Sequence, residues 1–534
     1  MRKGLQIVTF NSARSLFAAA FFTISLPLLA FGDAGPRVKT MQGKVEGKLS
    51  SDGQVREFLG IPFAAPPVGP LRWKPPQPPA KWHGVRSAAN FGNRCIQSGG
   101  YPDMIFRDAG QSEDCLTLNV WTPANAKHGK LPVMVWIYGG GFNTGGTSEA
   151  RQDGEHLAHK GVLVVSMNYR LGIIGFFAHR ELAAESPQHA SGNYGLMDQT
   201  AALQWVQRNI AAFGGDPKNV TIFGESAGST SVSTQMASPL AQGLFAHAIG
   251  ESGGAFSHPG LTFVSLADCE NRDEDFAQTA FGNSSLSALR GLSADELVKA
   301  AISKQPGIPR FQPNVDGLFL PESVPSIYAE GKQAHVPLVA GWNRDEGAPQ
   351  IVNAAEPPTV ESLRELGHKD FGEQADAFLK AYSAATDEEA VRVAKDYSGD
   401  RFIAYSTWAW LEAQVKTGNA PVYRYDFELG SPGDTYHPVS FGAFHSDDIE
   451  YVFGNLDSRK GAVWRPEDYK LSELMQTYWT NFAKTGNPNA SGLPDWPTYD
   501  GGSGWQVMHL NASPEAKPDQ HRDRYLFLQE AWVK

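Results

Sequence analysis

Gly224-Glu225-Ser226-Ala227-Gly228 sets a serine between two glycines in the pattern G-x-S-x-G. A serine so placed can act as a nucleophile. The flanking glycines remove side chains that would collide where a strand turns sharply into a helix, and the hydroxyl is left exposed on the turn. The pentapeptide alone also describes an ordinary small-residue turn. Its setting favours the nucleophile, because VTIF (220–223) reads as a strand before it and a run of small residues as far as Val232 opens a helix after it.

Such a serine needs a base to take its proton and donors to hold the oxyanion that its attack creates. Tyr138-Gly139-Gly140-Gly141-Phe142 follows an apolar strand-like run. Successive glycines let backbone N–H groups converge on one point. A phosphate loop would need the Walker lysine or the G-x-G-x-x-G spacing, and neither is present. The amides of Gly140, Gly141 and Ala227 are therefore the candidate oxyanion hole. Where the chain order is nucleophile, acid, base, the acid follows an intervening strand and the histidine comes last. Asp345 and Glu346, in GWNRDEG (341–347), both satisfy the acid's position, and order alone does not choose between them. His445 sits in a loop-like stretch after a strand candidate. His437, His509 and His521 are the other candidates for the base.

Positioning these groups requires a scaffold. LPVMVWIY (131–138) and GVLVVSMN (161–168) are nearly unbroken apolar runs, as in strands buried on both faces of a parallel sheet. DQTAALQWVQRNI (198–210) carries apolar residues at helical spacing between the second run and VTIF. Strand, helix, strand is the grammar of a doubly wound α/β sheet. VPLVA (336–340) and VYRYDF (422–427) predict later strands, and 359–417 and 471–484 predict helices. The proline-rich stretch 66–79 interleaves tryptophan and leucine, so it is expected to pack on the core rather than act as a linker. No domain boundary is evident after the N-terminus.

The N-terminus carries Arg2, Lys3 and Arg14, then an apolar run from Leu16 to Phe31, then small residues. This predicts a signal peptide over residues 1–34, leaving 35–534 as one exported domain, secreted or periplasmic. The run is short and proline-containing for a bilayer span, so no stable membrane insertion is expected after cleavage. A formal net charge of −11 gives no basic excess for nucleic acid. In an oxidising compartment Cys95 and Cys115 are expected to pair, leaving Cys269 as a free, at least half-buried thiol. No Cys/His spacing suggests a metal, and no cofactor is expected.

These motifs together resemble the type-B carboxylesterase/lipase family, which includes cholinesterases and bacterial para-nitrobenzyl-type esterases. The resemblance runs from about Val38 to the C-terminal region. It rests on FLGIPFAAPPVGPLRW (58–73), SEDCLTLNVW (112–121), VWIYGGGF (135–142), NYRLGIIGF (168–176), GNYGLMDQ (192–199), FGGDPKNVTIFGESAG (213–228), GWNRDEG (341–347), HSDDIEYVFG (445–454) and FAKTGNPN (482–489). It implies an α/β-hydrolase fold, with a mostly parallel central sheet flanked by helices. It implies hydrolysis of small-molecule carboxylic esters by water through an acyl-enzyme, with Ser226 as nucleophile, Glu346 rather than Asp345 as acid, and His445 as base. It also implies an oxyanion hole at Gly140, Gly141 and Ala227, a Cys95–Cys115 disulfide, and a buried ion pair between Arg170 and Asp198. The chain departs from the family's second disulfide, where Ala288-Leu289-Arg290 stands in place of a cysteine motif. The loop between Cys95 and Cys115 is shorter than in cholinesterases and lacks the tryptophan that contacts choline there. Tyr101, Met104 and Phe106 in that loop are candidate pocket walls. An amide or carbamate hydrolase, a lipase, and a non-catalytic neuroligin-like binding module are the alternative readings.

Overall fold

Apolar runs without alternation must be covered on both faces, and the strands that carry them lie at the centre of one large sheet. The computed structural model describes residues 35–126, 130–256, 261–303, 308–347 and 356–532. The expected signal segment, 1–34, lies outside the described residues. In chain order the strands of the large sheet are β1 (Lys48–Leu49), β2 (Val55–Pro62), β3 (Thr117–Pro123), β4 (Leu131–Ile137), β5 (Leu163–Met167) and β6 (Gly215–Glu225). They continue as β7 (His247–Glu251), β8 (Leu338–Asn343), β9 (Val422–Phe427), β10 (Gln506–Leu510) and β11 (Glu515–Pro518). Their spatial order is β1-β2-β3-β5-β4-β6-β7-β8-β9-β10-β11. The pairs from β5 through β10 are parallel, and the two margins are antiparallel. The sheet is therefore mostly parallel, as in the α/β-hydrolase fold.

The centre is packed with large side chains. Val133, Val135 and Ile137 of β4 are fully buried, as are Met134 and Trp136 on its other face. The Trp136 ring meets those of Phe223 and Phe453 at 4.8 and 4.9 Å between centroids. Helix α1 (Tyr194–Asn209) buries Leu196, Ala202, Leu203, Trp205 and Val206. Helix α2 (Ala227–Ala237) leaves β6 and is buried along its whole length. The segment 359–417 is helical as expected, in Val360–Phe371, Ala375–Ala381, Asp387–Gly399 and Tyr405–Thr417. A π-helical stretch, Asp400–Ala404, is inserted before the last of these. The stretch 66–79 packs inward through Trp73, which is 1% exposed and donates its indole N–H to the carbonyl of Ile173.

Chain order reverses across β4. Its neighbour on one side is β5 and on the other is β6. Loops leaving the carboxyl ends of strands at such a point part to form a crevice. Five loops converge there, following β4, β6, β7, β8 and β9. Among the described residues no helix is long and apolar enough to cross a membrane.

Candidate active site

Ser226 occupies the turn between β6 and α2 with φ 56° and ψ −120°. A non-glycine residue adopts this region only under constraint. The constraint is visible: its N–H donates to the carbonyl of Glu251 on the neighbouring β7 at 2.8 Å. The crossing is tight enough that a side chain at Gly228 would fall on the carbonyl oxygen of Ile137 in β4. The start of α2 directly follows Ser226 and directs its unpaired N–H groups and positive dipole end at the serine.

His445 reaches this serine from the loop after β9. Its Nε2 lies 2.9 Å from Ser226 Oγ, and its Nδ1 lies 2.5 Å from Glu346 Oε2. Glu346 is itself held: its Oε1 accepts from Ser252 Oγ at 2.5 Å and from the N–H of Asn343 at 2.9 Å. With the carboxylate accepting, Nδ1 carries the proton and Nε2 presents its lone pair to the serine hydroxyl. Asp345 does something different. It pairs with Lys395 at 2.8 Å and Arg344 at 2.9 Å, and it accepts from the N–H of Ala443. Its own N–H donates to the carbonyl of Ala443, and Asn343 Nδ2 donates to that of Phe444. The acid-bearing loop and the histidine-bearing loop are thus laced together.

A second carboxylate stands by the imidazole. Glu225 Oε1 lies 3.3 Å from His445 Nε2 and has no hydrogen-bond partner among the described residues. Burial pushes the Glu225 carboxyl above the ordinary range, opposed by the attraction of His445. Burial alone would lower His445, but the charges of Glu346 and then Glu225 outweigh it and hold the imidazole above its usual 6.5.

The glycine loop after β4 lies beside the serine. Gly140 has φ 101° and Gly141 has φ 63°, and the N–H groups of Asn143 and Thr144 both donate to the Gly140 carbonyl at 3.1 Å. The N–H groups of Gly140 and Gly141 in that turn, and of Ala227 at the start of α2, have no acceptors among the described residues. All three residues border the same cavity as Ser226. Free amides at one point suit a developing oxyanion.

The cavity holds about 610 Å³. Tyr101 and Met104 line it, as do Phe142, Phe402, Ile403 and Phe441. Phe106 does not: its ring lies under the Arg94 guanidinium at 4.5 Å, which corrects the expectation that it forms part of the wall. His437 borders the cavity, but its Nδ1 is held by Asp434 at 3.0 Å and its ring stacks on Phe444. His509 is bound to Glu428 at 2.7 Å. With His521 it lines a separate cavity of about 130 Å³ that reaches Glu346 but not Ser226. No local motif marked Ser252, Phe402 or Arg310 as part of the site. Glu225 stood in the pentapeptide, but nothing there showed that it would face the histidine.

Two further pairs hold the surroundings. Cys95 and Cys115 are joined by a disulfide with Cα atoms 5.0 Å apart, closing the loop that carries Tyr101 and Met104. Cys269 is a buried free thiol, pushed up to about 11 by burial. Arg170, after β5, grips Asp198 of α1 with two bonds of 2.7 Å, and both side chains are essentially inaccessible. Burial raises the Asp198 carboxyl despite its partner. Among the described residues, the carboxylate and imidazole atoms close enough to share a cation are those of Asp52, Glu155 and His159, at the surface and outside this site.

The sequence matches the carboxylesterase family over residues 34–527. It is 38% identical over 493 residues to the fumonisin B1 esterase of Sphingopyxis macrogoltabida, covering 89% of this chain and 87% of that one. It is 36% identical over 530 residues to human cocaine esterase, covering 90% and 89%. It is 36% identical over 550 residues to rabbit liver carboxylesterase 1, covering 94% of each. Fold, family match and relatives agree that the chain belongs to the carboxylesterase family and is a serine carboxylic ester hydrolase.

Proposed function

We propose that Ser226, His445 and Glu346 are the catalytic triad of this esterase and that Gly140, Gly141 and Ala227 form its oxyanion hole. The observation that carries this reading is the continuous hydrogen-bonded line from Ser226 Oγ through both nitrogens of His445 to Glu346, opening into the cavity. His445 Nε2 takes the hydroxyl proton as Ser226 Oγ bonds to the ester carbonyl carbon. The carbonyl electron pair moves onto oxygen and is met by the three amides. As the C–O bond to the alcohol breaks, His445 returns its proton to the leaving oxygen. Water, deprotonated by His445, then attacks the acyl-enzyme, and the acid leaves with Ser226 restored. Glu346 keeps its charge throughout, fixing the imidazole tautomer and stabilising the imidazolium.

The substrate is a small-molecule carboxylic ester and the second reactant is water. The intact line of three side chains argues against a non-catalytic binding module. We read residues 1–34 as an export signal and 35–534 as one catalytic domain, secreted or periplasmic, with the Cys95–Cys115 disulfide suited to that compartment. Ser226→Ala is expected to reduce turnover of 4-nitrophenyl butyrate by about 10⁴-fold or more while the protein stays folded. Turnover close to wild type would overturn the assignment. The 4-nitroanilide of the same acid and emulsified tributyrin, assayed alongside, separate ester from amide and lipid preference.

A further inference from the structure

Besides two tyrosines, six ionisable side chains line the cavity, and five of them have opposite charges or bound partners at hand. Asp103 and Arg151 face each other at 3.2 Å. Arg151 also has Glu149, and Glu225 faces His445. His437 is held by Asp434. Arg310 is the exception. No carboxylate pairs with it among the described residues, and Tyr101 is the only ionisable group whose charge acts on it. The internal segments outside the described residues, 127–129, 257–260, 304–307 and 348–355, contain no aspartate or glutamate that could supply the missing charge. Its one polar contact among the described residues is a long one, Nη2 to the carbonyl oxygen of Gly141 at 3.5 Å. The residue is exposed to solvent at the cavity, and its guanidinium stands there without an anion beside it.

The position of this cation matters as much as its isolation. A Cβ at Gly141 would lie 3.3 Å from Arg310 Nη2, so the guanidinium rests against the oxyanion loop itself. A carboxylate bound there stands beside the scissile carbonyl of an ester seated on Ser226. Guanidinium presents paired donors that match a carboxylate's two oxygens. The chain carries a formal net charge of −11, which repels anions in general, so an anionic ester needs a local cation of this kind. The mouth suits the rest of such a molecule: Tyr101, Phe402, Tyr436 and Phe441 are exposed aromatic side chains bordering the same cavity.

We propose that Arg310 is a carboxylate-binding subsite and that the preferred substrates are esters with an apolar body and a free carboxylate close to the scissile bond. This proposal rests on the assignment of Ser226 as nucleophile. The test measures acid release at constant pH from matched esters. Monoethyl succinate carries the carboxylate on the acyl side, carboxymethyl butyrate carries it on the alcohol side, and ethyl butyrate is the neutral reference. In the wild type, kcat/KM for one of the two anionic esters is expected to exceed that for ethyl butyrate, and which one does so locates the carboxylate. In R310Q that ratio is expected to fall by about 10- to 100-fold, mainly through KM, and R310K is expected to restore part of it. Glutarate is expected to compete with ethyl butyrate in the wild type and to lose most of that competition in R310Q. Ratios equal in wild type and R310Q, or an equal loss for neutral and anionic esters, would overturn the proposal, the latter pointing to support of the oxyanion loop. Turnover of ethyl butyrate that is lost in Ser226→Ala upholds the nucleophile independently, so a failure of the subsite is distinguishable from a failure of the triad.

Discussion

Ser226, His445 and Glu346 are joined by two short hydrogen bonds, and Glu225 introduces a second negative charge at the imidazole. As the proposed base, His445 must be neutral to accept the serine proton. Its pKa is raised, so activity is lost as pH falls through a value above 6.5 rather than at it. Glu225→Gln removes one of the two charges responsible. The acid limb of kcat/KM for a neutral ester is then expected to move to lower pH, as a pH–rate profile would show. A limb that stays in place or moves up would show that Glu225 does not act on His445. Residue-level legibility was uneven. Ser226 was readable because its turn imposes glycines on both sides. Glu346 and Asp345 were not separable by chain order; what separates them is that Ser252 and Asn343 bond one while Lys395 and Arg344 bond the other. Arg310 was invisible because its significance is the lack of a tertiary partner, which no local pattern records.

At the scale of elements, the site exists because several strands end at one edge of the sheet. β4 supplies the glycine loop, β6 the serine, β7 the hydroxyl of Ser252, β8 the acid and β9 the loop with the histidine. The glycine loop is the most demanding of these. Gly140 has φ 101°, and a side chain there would fall on the carbonyl of Thr144, whose N–H closes the same turn. Gly140→Ala is therefore expected to displace the amides and lower kcat by about 10²- to 10³-fold, with KM changed much less. Steady-state kinetics on 4-nitrophenyl butyrate measure this, and near-wild-type kcat would exclude these amides from the oxyanion hole. The central strands were legible because burial on both faces leaves an unbroken apolar run. β7 escaped notice because its five residues, His247–Glu251, begin and end in polar side chains. β10 and β11 did so because their antiparallel margin is part-exposed and mixed in composition. The π-helical stretch that brings Phe402 and Ile403 to the cavity has no sequence mark distinct from the helices around it.

The whole molecule combines a rigid sheet with a cavity whose walls come from distant parts of the chain. The disulfide closes a separation of 20 residues, and a loop of this size is stabilised by about 3 kcal/mol relative to the unfolded chain. That fixes Tyr101 and Met104 opposite the loop of His445. Buried Arg170–Asp198 ties the segment after β5 to α1. Overall class and family were legible from ordered motifs along the chain; the full strand order and the shape of the cavity were not, because they depend on which strands and loops meet. The proposed mechanism requires one reactive serine per molecule. The direct measurement is labelling of the purified protein with a fluorophosphonate, followed by peptide mass spectrometry and residual ester hydrolysis. The expected result is one adduct per chain, on the peptide containing Ser226, with activity lost in proportion to labelling. An adduct elsewhere, or ester hydrolysis that survives full modification of Ser226, would contradict it.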